Sequence, residues 1–209
     1  VGTLNGTNGG VGLFATTVGG QFGNSVSNAG DVNGDGIDDV IIGHWQYNSV
    51  GRAYVVYGKA NGLPTFTEAD LASGTSTNGF VIQGLTTTNA YFGAVSAVGD
   101  VNGDGLADVL VGARGVNASY LVYVKNDGSI VDVTALGTKG QSFISQAVEA
   151  AGWSVSGAGD VNGDGIADLI IGTNTPNSSK DYVVFGNAAN ASINLSAIEA
   201  GTGGFVIKG

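Results

Sequence analysis

Most of the oxygen-rich chemistry in this chain is packed into nine residues that occur three times. Asp31-Val32-Asn33-Gly34-Asp35-Gly36-Ile37-Asp38-Asp39 returns as Asp100 to Asp108 and again as Asp160 to Asp168. A recurrence at this distance marks repeated supersecondary units. Each copy sets oxygen-bearing side chains at positions 1, 3, 5 and 9 and Gly at 4 and 6. The first loop offers Asp31, Asn33, Asp35, Asp39 and the backbone carbonyl of Ile37. The second offers Asp100, Asn102, Asp104, Asp108 and the carbonyl of Leu106; the third offers Asp160, Asn162, Asp164, Asp168 and that of Ile166. Calcium takes six to eight such oxygens in flexible geometry, whereas magnesium tolerates a wrapped multi-carboxylate site poorly. Zinc and copper favour imidazole and thiolate.

Asp, Asn and Gly together also make ordinary turns. Three copies sharing every ligand position decide for three calcium sites. The loops are not EF-hands, because position 12 is Ile42, Val111 or Ile171 where a bidentate Glu would be required. With every coordination position filled, the ions are expected to fasten structure and leave no open site for catalysis.

The elements that must position these loops read as short strands. Before each loop lies a Gly/Ser/Val segment: 22–27, 92–96 and 152–156. After it comes a β-branched run bounded by Gly: 40–43, 109–112 and 169–172. A third strand follows (53–57, 120–124, 182–185) and then a fourth (80–82, 142–144, 205–207), with helical turns expected at 68–71 and 193–198. Four antiparallel strands per unit describe propeller blades. The fold class is therefore all-β: a β-propeller of three complete blades plus one N-terminal orphan strand. The expected divisions are 1–19 as the outer strand of a preceding blade, then blades at 20–84, 85–148 and 149–209. Three blades are too few to close a ring. The chain is thus expected to be part of a longer array, or to complete its ring with another copy.

Composition agrees. There are 38 Gly and 2 Pro, which suit tight turns, and no Cys, which excludes disulfides and thiolate chemistry. Seven Lys and Arg face 17 Asp and Glu. Ten of those acids lie in the three loops, so the remainder of the chain is neutral. No basic face is available for nucleic acid, and no apolar run has the length of a membrane span.

A catalyst is hard to place. The single His, His44, has no nucleophile elbow to serve, and the acids outside the loops are scattered, so the chain is read as a non-enzyme. His44, Trp45 and Tyr47 occupy the connection between the second and third strands of the first unit. The plainer expectation has Trp45 plugging the gap between blades and His44 as a solvated turn residue. The alternative is an aromatic platform for a sugar or protein, with Arg114 and Tyr120 contributing from the second unit.

The ensemble resembles the FG-GAP repeat, the blade unit of integrin α-subunit propellers and of many bacterial surface and secreted proteins. Phe22-Gly23 and Phe92-Gly93 match its "FG", the aspartate loop follows, and Ile42-Gly43-His44, Val111-Gly112-Ala113 and Ile171-Gly172-Thr173 stand at its "GAP". The third unit departs with Ala151-Gly152-Trp153. The resemblance implies calcium in the hairpin between first and second strands and ligands on the opposite face. It also implies an extracellular or cell-surface segment serving adhesion, surface architecture or protein assembly, with a protein or glycan ligand. Two alternatives accompany this: a carbohydrate-binding propeller, and a non-catalytic scaffold in a larger secreted enzyme.

Overall fold

A computed structural model describes residues 12–15, 21–124, 127–145, 149–176, 179–186 and 193–209. Three antiparallel blades follow one another. The first holds β2 (Phe22–Gly30), β3 (Asp39–His44), β4 (Arg52–Val56) and β6 (Gly79–Gln83). The second holds β7 (Phe92–Gly99), β8 (Asp108–Ala113), β9 (Ala118–Val122) and β11 (Gly140–Ile144). The third holds β12 (Ser154–Gly159), β13 (Asp168–Gly172), β14 (Lys180–Val184) and β16 (Gly204–Lys208). The Val/Ile/Tyr runs form these strands because branched and aromatic side chains suit a pleated, packed surface. The only α-helices among the described residues are single turns, α1 (Glu68–Leu71) and α2 (Leu195–Glu199).

Three two-residue strands clip neighbouring blades together. They are β5 (Phe66–Thr67), β10 (Val131–Asp132) and β15 (Ile193–Asn194), each between the third and fourth strands of its unit. β10 lies parallel to β6, with Val131 beside Ile82, and β15 lies parallel to β11, with Ile193 beside Phe143. β5 makes the same parallel pairing with β1 (Leu13–Phe14), Phe66 beside Leu13. β1 thus stands to the first blade as β6 stands to the second. The rest of the stretch expected as an outer strand, 1–11 and 16–19, lies outside the described residues.

The core lies between blades. One cluster joins Ile41, Val55, Phe80 and Ile82 of the first blade to Phe92, Val109, Val111 and Val122 of the second. Another joins Leu110, Leu121 and Phe143 of the second to Leu169, Ile171, Tyr182 and Val184 of the third. The inner strands approach through glycine. A Cβ on Gly43 would run into the Gly93 carbonyl, and one on Gly112 into that of Gly152. Gly93 of the second "FG", and Gly152 at the same place in the third unit, therefore rest on the Gly of the preceding blade's "GAP". At the two outer faces equivalent positions open: Val26 is 64% exposed against 6% for Val95, and Phe205 46% against 2% for Phe80.

Candidate metal loops and the opposite face

In every blade the aspartate loop joins the first and second strands. The antiparallel order places the second-to-third connection at the other end. The first residue of each loop acts as the hub. Asp31 accepts from the backbone N–H groups of Gly34 (2.7 Å), Asp35 (3.2 Å) and Gly36 (2.8 Å). Asp100 accepts from Gly103, Asp104 and Gly105, and Asp160 from Gly163, Asp164 and Gly165. Such convergence requires the chain to reverse sharply, and Gly34 and Gly36 do so at φ of 78° and 82°. Asn33, Asn102 and Asn162 each accept from the N–H two residues on, as do Asp35, Asp104 and Asp164. Burial raises the Asp31 carboxyl, but its backbone donors outweigh that and hold it below the usual carboxylate value.

The ninth residue is different because it is buried. Asp39 accepts from Val32 N–H (2.9 Å) within its loop and from Gly58 N–H (2.7 Å), two residues beyond β4. Asp168 repeats this with Val161 (2.8 Å) and Gly186 (2.9 Å). Asp108 keeps Val101 (2.9 Å), but its Oδ1 is buried without a hydrogen-bond partner. The residue at the place of Gly58 and Gly186 is Val124, whose N–H lies close enough to lower the carboxyl's pKa without completing a hydrogen bond. Burial pushes Asp108 up to about 7, and repulsion from Asp104 and Asp100 adds to the rise. Asp39 is pushed up to about 6, by burial first and then by Asp35 and Asp31.

Among the described residues no three His, Cys, Asp or Glu side chains are gathered closely enough to hold an ion unaided. The loop carboxylates are turned onto backbone N–H groups instead. The donor set nevertheless fits a hard cation: each loop brings three carboxylates, an amide oxygen and a carbonyl onto one reversed segment, and one buried carboxylate oxygen lacks a partner.

At the other end the expected platform divides. His44 is fully buried, with Nδ1 3.2 Å from Glu68 Oε2, a close approach that is not aligned as a hydrogen bond. Its solvated-turn reading therefore fails. Phe22 and Tyr47 pack edge-on against it and Tyr54 lies tilted beside it, and burial lowers its pKa despite Glu68. Tyr120 is buried too, against Phe92. Trp45, Tyr47 and Arg114 are half-buried and reach the surface.

The structure adds residues not anticipated there: Glu68, Tyr54 and Arg52 in the first blade, and Glu149, Tyr182 and Glu199 around Lys180 in the third. Tyr54 donates to Glu68 (3.0 Å), and Lys180 bridges Glu149 (2.7 Å) and Glu199 (2.8 Å). Tyr91 and Trp153 gather around Arg114. The signal for Trp153 was its own oddity, a Trp where the aligned positions hold Asn24 and Ala94.

A family model described as FG-GAP-like repeat matches residues 31–111 and 100–171. The chain is 34% identical over 156 residues to phosphatidylinositol-glycan-specific phospholipase D from Bos taurus, covering 68% of this chain and 17% of that protein. It is 27% identical over 164 residues to integrin alpha-5 from Xenopus laevis, covering 72% of this chain and 14% of the integrin. Against integrin alpha-PS2 from Drosophila melanogaster it is 28% identical over 193 residues, 85% of this chain and 13% of that protein. The matched stretch is thus less than a fifth of each relative's length.

Proposed function

This chain belongs to the FG-GAP-like repeat family, and on that premise we propose that it is a calcium-fastened β-propeller segment acting outside the cell in adhesion or as a scaffold. The observation that supports this best is the threefold repetition of one loop geometry around buried Asp39, Asp108 and Asp168. In each loop the first, third, fifth and ninth side chains and the seventh carbonyl would hold calcium. The ion would supply charge neutralisation to clustered aspartates. The protein's share is to pre-bend the loop through its backbone hydrogen bonds and, in the first and third loops, to tie the ninth residue to the segment just beyond the third strand.

The outer faces around Val26 and Phe205 are covered, in this reading, by further blades or by a second copy. Adhesion or protein assembly is supported by similarity to integrin alpha subunits. The phospholipase activity named for another relative belongs to that protein, of which the matched stretch is 17%. A scaffold role beside an enzyme is compatible with that likeness. No helix among the described residues is long and apolar enough to cross a membrane.

Thermal melting with and without chelator tests the calcium reading. Calcium at a hundredfold excess over its dissociation constant contributes about 2.7 kcal/mol per site. Three such sites in a chain of this size correspond to a fall on the order of 15–30 °C on chelation. An unchanged melt removes the reading.

One observation favours a second use of the opposite face. Trp153 presents an exposed indole there, which suits stacking against a saccharide. Glycan binding is the second reading.

A further inference from the structure

We infer that Arg114, enclosed by Trp45, Tyr91 and Trp153, is the anion-reading centre of a site for uronic-acid saccharides on the face opposite the aspartate loops. The inference rests on the glycan reading of that face and is independent of calcium.

Arg114 opens the connection between β8 and β9. Its Cζ lies 4.2 Å from the Trp45 ring centroid, 4.5 Å from that of Tyr91 and 4.2 Å from that of Trp153. Trp45 follows β3 of the first blade, Tyr91 precedes β7 of the second and Trp153 precedes β12 of the third. One guanidinium is thus held where all three blades meet, and three rings fix its plane. Among the described residues no carboxylate pairs with it, and none of its nitrogens is both buried and unpartnered. Its donors therefore reach solvent.

The contrast with Lys180 is informative. Where the fold neutralises a cation for structural ends, it supplies two acids, Glu149 and Glu199. Arg114 receives aromatic rings in their place. These orient it while leaving its donor fork unspent, and a planar fork of fixed orientation matches a carboxylate bidentately. The ordering of that long side chain precedes binding, which removes one entropic cost of association. Trp45 Nε1 is buried without an acceptor, and an unsatisfied donor in a well-packed place calls for a reason other than stability.

Trp153 supplies the second half of the recognition. It is 43% exposed although the guanidinium lies over its ring, so the indole keeps open apolar surface close to the arginine. A carboxylate alone would need only the arginine, and a neutral sugar only the indole. A uronate carries both a C–H face to stack and a carboxylate to pair.

The test uses the chain's own fluorescence, because Trp45 and Trp153 are its only two tryptophans and both touch Arg114. The whole chain in calcium buffer is titrated with hyaluronan oligosaccharide, with the same oligosaccharide after carboxyl reduction, and with poly-L-glutamate. Hyaluronan is expected to shift the emission saturably, and the carboxyl-reduced form to do so at least tenfold more weakly. Arg114→Gln should abolish the response. Arg114→Lys, retaining the charge without the fork, should weaken it several-fold at an unchanged melting temperature. Equal binding of the carboxyl-reduced sugar overturns the inference while leaving the glycan reading intact. Response to poly-L-glutamate alone assigns the site to an acidic peptide and overturns it too. Silence with all three probes overturns both the inference and the glycan reading, whatever the chelator melt shows.

Discussion

The two ends of the blades follow opposite rules. At the loop end the three copies agree donor by donor, from the hub aspartates to the buried ninth residues. At the other end equivalent positions hold unrelated chemistry. The position of His44 becomes Ala113 and Thr173, and that of Arg52 becomes Ala118 and Lys180. The first blade buries a His44–Glu68–Tyr54 cluster, the second raises Arg114 into its aromatic box, and the third ties Lys180 to two acids. A task common to every blade keeps one solution, whereas surface that reads something else is free to diverge. Even the loop end has one break in its repetition. A Cβ on Gly58 would meet the Asp38 carbonyl and Ile37, and one on Gly186 the Ala167 carbonyl and Ile166. Val124 carries that Cβ, and Asp108 is the ninth-position aspartate left with an unpartnered oxygen.

The sharpest way to break this comparison is at Asp108. Asp108→Ala should remove one ion and cost about 3 kcal/mol or more in calcium, with the calorimetric stoichiometry falling from three to two. Asp38→Ala, an exposed position-eight residue in the first loop, should leave three. Three ions bound by the Asp108 variant would mean that the ninth position fastens the hairpin without touching metal.

A smaller loss is expected at the other end, and it should ignore calcium. Glu68→Ala strips the acid from buried His44 and Tyr54. Leaving buried polar groups without partners costs about 1–3 kcal/mol. The drop in denaturant midpoint should be equal in calcium and in chelator. A loss that appears only in calcium would show that the two ends are coupled and not independent.

Much of this was legible in the chain itself, for reasons that differ by element. The four strands per unit announce themselves because β-branched runs between glycines have few alternatives. The loops do so because four oxygen positions repeat in phase. The parallel clips escaped because two residues, such as Val131 and Asp132, carry no periodicity. His44 was read as solvated because its partner Glu68 lies 24 positions away and meets it only once the first blade is assembled. The meaning of "FG" and "GAP" is also tertiary: Gly43 and Gly93 are constrained by each other across a blade boundary, which spacing within one repeat does not reveal. Trp153 looked like a lapse from the pattern and is instead one wall around Arg114.

The smallest effect sharpens the contrast among the three variable ends. In the third blade, burial raises Glu149, but hydrogen bonds from Lys180, Tyr182 and Ser145 outweigh it and leave the carboxyl below its usual value. Glu199 is lowered by Lys180 first and then Tyr182. A carboxyl depressed in the folded state binds its proton later than in the unfolded chain. Its contribution is therefore complete above the ordinary glutamate pKa and drains away as pH falls below it. Lys180→Met removes the cation and most of that contribution, which for a partly exposed pair is on the order of 1 kcal/mol or less. The stability difference between native protein and variant should be greatest near pH 6 and shrink toward pH 3.5, followed by chemical denaturation at fixed calcium. His44 provides the internal contrast. Its pKa is lowered chiefly by burial, so the unfolded chain takes up a proton first and stability declines as pH drops through the ordinary histidine range. A Lys180→Met difference that vanished already between pH 7 and 6 would point to histidine-range titration and away from the Glu149–Lys180–Glu199 bridge.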